Sequence, residues 1–541
     1  KTYIRRWRLE PKDPEAYNRG ELVEPIKPIV YYLDPATPEK LKKYIKQGIE
    51  EWQKPFESAG FKNAIIAKDA PTKEEDPDFS PEDVRYSVIR YVASTTRNAV
   101  GPSVSDPRTG EIIESDVIWY HNHLRSYRNR YLLETGAANP SARTLQTSDE
   151  EMGEMMRMVI AHEVGHALGF PHNMGASCAY DVESYRNGDF TQQNGISASI
   201  MDYARFNYIA QPGDKNIRFV RKMGAYDQYA VNWGYRVIPN VKSPQEEVPT
   251  LDKWILDKAG NPIYKFGKQS SAFDPSSQTE DIGNNSMKAS SYGLKNLEYV
   301  ASHLNEWTSN VTNNYEDLDE LYKELLDCWS RYVGHVVTNV GGIYENTKKP
   351  NQAGSVYEVV PKAKQIEAMN WLQKNAFESP TWIVNVKTLQ NTEFAGYTEK
   401  FRSLQVRQLN NLMTLGRVGR LMDNEILSGD NYKALDFFKD IRRGIWKEAA
   451  AASNVTVYRR NLQRAYIDRM GYLMTEEIKP TDRSTIYYNV TQSDLRALVR
   501  GELSALRKSL VAAKAGAVNT ETKYHYEDCI KRIDLILNPI K

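Results

Sequence analysis

Three histidines and a glutamate fall within eleven positions, as His162-Glu163-Val164-Gly165-His166 and, beyond Gly169, His172. The whole chain has eight histidines in 541 residues, so the crowding is itself a signal. On an α-helix, four residues are about 6 Å of rise and leave both imidazoles on one face. Two neutral imidazoles so placed suit Zn2+, which takes ring nitrogen at about 2.0–2.1 Å. Gly169 is expected to end the helix in a left-handed conformation, which costs little without a Cβ. The chain then turns at Pro171, and His172 swings back as a third ligand. Three protein ligands leave the fourth position to water, the arrangement of a catalytic rather than a structural zinc. Glu163 points about 100° away from His162, out of ligating position but within reach of the metal-bound water as general base. These residues describe one zinc-dependent hydrolytic centre. The plain alternative is a histidine-rich helix whose rings cap or hydrogen-bond inside a core.

Such a centre needs elements to hold it. A helix is expected from Ser148, where Ser148 and Glu151 fit a capping box and Met152, Met155, Met156, Val159, Ile160, Val164 and Leu168 keep helical spacing. Upstream, Pro28–Leu33, Val84–Ser94 and Glu111–Tyr120 read as strands, with a turn over Asp106–Gly110. Between the first two lies an amphipathic helix through Leu41, Ile45, Ile49, Trp52 and Phe56, with Thr37 as N-cap and Pro38 as first helical residue. Residues 236–286 are rich in Pro, Ser, Asn, Gln and Lys and read as a connecting segment, with a hairpin around Lys258–Phe266. From 287 to 541 the pattern is mostly helical without a fixed repeat. The expected architecture is therefore α+β: residues 1–235 as a mixed twisted sheet with a long active-site helix, then an α-helical domain of unassigned role over 287–541.

His162-Glu163-x-x-His166-x-x-Gly169-x-x-His172 resembles the metzincin metallopeptidases, whose signature continues in a Met-turn. Ser199-Ile200-Met201-Asp202-Tyr203 is similar to that turn, and the resemblance covers about residues 28–235. It implies that Met201 is a structural floor under the histidines and that Tyr203 is a candidate zinc ligand or oxyanion donor. It further implies that Gly224–Tyr235 forms the closing helix, stopped at Gly234, and that an extended peptide pairs with an edge strand, for which Glu111–Tyr120 is the candidate. The chain is similar in detail to large bacterial metzincin-like proteins, which implies a secreted, periplasmic or cell-surface location. Its residue after the third histidine, Asn173, departs from the Glu, Pro, Ser or Asp of the familiar subgroups.

Composition narrows the remaining classes. Lys and Arg total 71 against 70 acidic residues, a net charge of +1 that offers no polyanion footprint, so nucleic acid is not an expected partner. No run approaches the ~18 apolar residues of a membrane span. The chain opens without an initiator Met or an apolar signal core and is expected to start inside a longer precursor. Three cysteines allow at most one disulfide. His121 and His123 form an H-x-H pair expected to line a surface or cleft, and two Asp-rich loops, 106–116 and 274–286, carry oxygen ligands for Ca2+ without EF-hand spacing. The expected function is a zinc endopeptidase acting on protein or peptide. Two alternatives stand beside it: a non-catalytic binding or adhesion protein that keeps the zinc frame, and a hydrolase of a non-protein amide such as a cell-wall crosslink. Oligomeric state is not legible.

Overall fold

Ile29-Val30-Tyr31-Tyr32-Leu33 alternates buried and half-buried side chains, as β-branched and aromatic residues do when one sheet face meets a core. In the computed structural model, which describes residues 3–269, 272–309, 311–427, 429–475 and 489–539, this segment is strand β1 (Ile29–Leu33). It pairs in parallel with β2 (Ile65–Asp69) on one side and β3 (Ser87–Val92) on the other. Two further strands, β4 (Ala99–Val100) and β5 (Val104–Ser105), precede β6 (Ile112–Glu114) and β7 (Val117–Tyr120). The main sheet has the order β2-β1-β3-β7-β4, with β7 parallel to β3 and β4 antiparallel to β7, while β5 and β6 pair separately. The fold is the expected mixed α/β arrangement with a helical C-terminal region.

Several local expectations are corrected. Glu111–Tyr120 is two strands in two sheets, because Ser115 turns its hydroxyl to Pro102 O and Asp116 accepts the Val88 N–H. The sheet edge is β4, and β7 lies one strand inside it. The helix after β1 runs Glu39–Glu50, with Pro38 rather than Thr37 at its cap and no side-chain cap bond, and a separate short helix covers Gln53–Ser58. Gly234 lies inside the helix Ala225–Tyr235 and does not stop it. Lys258–Phe266 holds a single 3-10 turn, Pro262–Tyr264, in place of a hairpin.

The chain divides into two compact units. The first comprises residues up to 270 together with 276–300 and 306–311. Its core packs the sheet residues Tyr31, Leu33, Ile89, Val117 and Trp119 with Ile45, Ile49 and Trp52 and with Val159, Ile160 and Val164 of the helix Asp149–Ala167. Each such side chain contributes about 1.5–3 kcal/mol by leaving water. Residues 236–286, read above as a connection, include the helix Pro244–Leu256. The second unit comprises 312–541 with 271–275 and 301–305. It is helical, led by Glu316–Val337, Tyr397–Leu412, Val457–Thr475, Asp494–Ala515 and Thr520–Leu537, with one small hairpin pairing Ile343–Glu345 and Tyr357–Val359. No described helix is long and apolar enough to cross a membrane. Cys178, Cys328 and Cys529 are all free thiols.

Candidate metal centre and active site

The helix Asp149–Ala167 begins where Ser148 Oγ accepts the Glu151 N–H, with Asp149, Glu150 and Glu151 in its first turn opposing the helix dipole. It ends at Gly169, whose φ of 97° is the left-handed conformation expected there. The Gly169 N–H closes onto His166 O at 2.9 Å and the Phe170 N–H onto Gly165 O at 3.0 Å. The turn sends the chain back so that one ring nitrogen from each of His162, His166 and His172 lies within 4.8 Å of the other two. Among the described residues these three form the group that could hold a metal ion.

Each ring is pinned through its far nitrogen. His162 Nδ1 donates to Ile200 O at 2.8 Å, His166 Nδ1 to Phe170 O at 2.8 Å, and His172 Nδ1 to Gln269 Oε1 at 2.8 Å. A carbonyl oxygen only accepts, so each Nδ1 carries the proton and each Nε2 keeps its lone pair. His166 Nε2 and His172 Nε2 then face each other at 2.9 Å, lone pair towards lone pair, and His162 Nε2 is buried with no hydrogen-bond partner. Three converging imine nitrogens with occupied outer nitrogens fit a zinc ion. Burial pushes all three rings down and so favours the neutral form that ligates: His166 falls to about 4, His162 lies well below its ordinary value with help from the charge of Arg221, and His172 is lowered too.

Met201 packs on the motif helix. Its thioether lies against Gly165, in the turn between His162 and His166, and a Cβ on Gly165 would run into Met201 Sδ and the Trp52 ring. That explains a glycine inside the motif helix, which otherwise costs about 1 kcal/mol against alanine. The turn itself is stapled from the helix Ala225–Tyr235. Asp227 accepts from Ser199 Oγ at 2.6 Å, the Ile200 N–H at 2.8 Å and the Gly224 N–H at 2.7 Å.

Glu163 is buried beside the triad. Desolvation pushes its carboxyl up to about 7, opposed by the charges of Arg221 and Arg205 and by a hydrogen bond from the Gly101 N–H. Gly101 directly follows edge strand β4, so the sheet edge and the carboxylate meet. The Tyr203 ring lies 4.2 Å from the His172 ring and 5.3 Å from that of His162, with the Arg205 guanidinium 4.9 Å over it. Burial raises the Tyr203 phenol and Arg205 lowers it. Arg205 is held by Tyr127 OH at 2.6 Å and Glu280 at 2.9 Å. Arg221, wholly buried, donates to the main-chain oxygens of Ile200 and Asp202.

All six sequence-derived residues, His162, Glu163, His166, His172, Met201 and Tyr203, therefore gather at one place. His121 and His123 do not join them. His121 bonds Tyr91 OH at 2.5 Å, and His123 begins the helix His123–Thr135 and packs against the Trp119 and Tyr127 rings. Sequence reading missed Gly101, Arg205, Arg221, Asp227 and Gln269. Of these, Asp227 lies inside a segment already singled out and Arg205 two residues beyond another, whereas Gln269 leaves no local trace. A family model described as Met-zincin matches residues 144–453, which takes in the histidine helix and the methionine turn. No curated protein and no solved structure matches the chain.

Proposed function

This chain belongs to the Met-zincin family, and from that premise we propose that it is a zinc-dependent endopeptidase. The observation that carries the reading is the convergence of three neutral imidazoles, each with its Nδ1 engaged, beside a buried carboxylate. His162, His166 and His172 would hold the ion through Nε2. When bound, zinc supplies Lewis acidity, polarising a carbonyl and lowering the pKa of a coordinated water to about 7.

The chain's own residues do the rest. Glu163 takes a proton from the attacking water and returns it to the departing amine; its raised affinity for a proton suits both halves of that transfer. The Gly101 N–H holds the carboxylate in place. The Tyr203 hydroxyl donates to the developing oxyanion, with Arg205 over its ring favouring negative charge there. An extended peptide adds to the outer edge of β4 by main-chain hydrogen bonds, which brings its scissile bond past Glu163 with little demand on side-chain identity. The substrate is accordingly a protein or peptide in extended form, and the expected location is outside the cytoplasm.

The test is zinc analysis of the purified protein together with cleavage of denatured casein, with and without a chelator. One zinc per chain and chelator-sensitive cleavage are expected. Glu163→Gln should keep the zinc and lower kcat by roughly 10²–10⁴-fold. Undiminished cleavage by Glu163→Gln would remove the assignment, and cleavage of muropeptides but not of casein would redirect it to a non-protein amide.

A further inference from the structure

His162 and His166 lie on a helix and donate from Nδ1 to main-chain oxygens fixed by the Met-turn and the helix end. His172 lies beyond the helix, after Pro171, and its acceptor is a side chain 97 residues further along the chain. We propose that Gln269 is a positioning residue for the metal centre, orienting His172 through its Nδ1, and that Asn173 and Gly267 exist to dock the segment that carries it. The proposal rests on the zinc reading above.

The docking is specific. Asn173, fully buried, gives its own N–H to Met201 O at 3.0 Å and its side-chain Nδ2 to Lys265 O at 3.0 Å. Its Oδ1 accepts the Gly267 N–H at 2.8 Å and the Gly175 N–H at 3.2 Å. The Met174 N–H bonds Gly267 O at 2.9 Å, and Ser277 Oγ bonds Lys268 O at 2.8 Å. Gly175 and Gly267 approach so closely that a Cβ on Gly267 would stand 2.5 Å from both Gly175 N and Ser277 Oγ. The third histidine, the methionine turn and residues 265–269 are thus tied together by one asparagine. This accounts for Asn173, the residue at which the chain departs from the familiar subgroups: a carboxylate or proline there has no donor for Lys265 O, and a serine would have to meet Lys265 O, Gly267 N and Gly175 N from a single short hydroxyl, where the amide uses two separate atoms.

The acceptor is an amide and carries no charge, so it fixes the tautomer and ring plane without adding anionic character. Outer-shell acceptors of this kind are typically worth 10–100-fold in metal affinity. Removal should therefore weaken the grip on zinc without abolishing the site, since water can serve Nδ1 in place of Gln269. A carboxylate at 269 should act in the opposite direction by raising the basicity of the ring.

The experiment measures zinc affinity of the full chain by competition with a chromophoric chelator, and the visible spectrum of the Co2+-substituted protein, for wild type, Gln269→Ala, Gln269→Glu and Gly267→Ala. Gln269→Ala should bind zinc 10–100-fold more weakly with an altered Co2+ spectrum, while its metal-free Tm stays that of wild type because Gln269 is exposed. Gln269→Glu should bind more tightly than wild type, and Gly267→Ala should reproduce the Gln269→Ala loss. Wild-type affinity and spectrum in Gln269→Ala would overturn the role of Gln269 and leave the zinc centre standing. Wild-type protein that takes up no zinc would overturn both.

Discussion

An imidazole grips a metal best through one nitrogen when an acceptor holds the other, and at this site every acceptor is a neutral oxygen: Ile200 O, Phe170 O and Gln269 Oε1. Spacing alone pointed to the ligands and to Glu163, because the helix repeat converts sequence distance directly into direction. The occupants were not legible, since two of the three come from residues 38 and 97 positions away. The same holds for Arg205, whose place over the Tyr203 ring depends on Tyr127 and Glu280. Tyr203→Phe should lower kcat about tenfold to hundredfold with KM little changed, read from steady-state cleavage of a peptide substrate, because the hydroxyl acts only as charge develops. Gly165→Ala should destabilise the protein by about 1–3 kcal/mol in a denaturant titration, as its methyl would displace Met201 and Trp52.

Among the elements, the helices carrying strong apolar periodicity were readable, and three stretches were readable as strands, whereas Ile65–Asp69, the two-residue strands Ala99–Val100 and Val104–Ser105 and the hairpin of the second unit were not. Partnership was not. Glu111–Tyr120 reads as one β-forming stretch interrupted only by Glu114, Ser115 and Asp116, yet its halves join different sheets, because pairing is set by residues far off in sequence. The methionine turn shows the same dependence: Asp227, within a helix legible from its sequence, receives two hydrogen bonds from that turn and a third from Gly224 at the cap of its own helix. Asp227→Ala should cost roughly 3 kcal/mol, seen as a lower Tm, because it strands buried donors. The last helix, Thr520–Leu537, carries a pH dependence of its own. His525 Nε2 donates to Gln463 Oε1 at 2.8 Å, and burial, with Arg464 and Arg460 nearby, pushes the ring down to about 3. A folded value below the ordinary 6.5 or so gives stability that is complete above that pH and is lost as pH falls towards 3. Thermal melts between pH 7 and 3.5 should show this loss, on the order of 4 kcal/mol at its limit, and His525→Gln should flatten the curve.

At the scale of the whole molecule, the charge balance offers no polyanion footprint and the pattern along the chain indicates an α+β fold with a helical second half. What it did not convey is how far residues 236–286 take part in the first unit. Residues 265–269 and 277–281 hold His172, Asn173 and Arg205 through side-chain and main-chain bonds. The family match likewise runs on to residue 453. Asp257–Asn261, exposed throughout, is where a protease should nick the native chain. The two fragments are expected to co-elute on size exclusion and keep their zinc, because residues 265–269 are held by hydrogen bonds that the cut leaves intact. Separation of the fragments with loss of metal would contradict this.

The long span between His172 and its amide partner also has a temporal side. The ribosome releases the ring 97 residues before that partner is made. At about 5–20 residues per second, roughly 5–20 s separate the synthesis of His172 from that of Gln269, and Ile200 and Asp227, which brace His162 and its turn, are made within that interval. The full set of acceptors around the three rings is thus complete only after residue 269 has been made, late in the synthesis of the first unit.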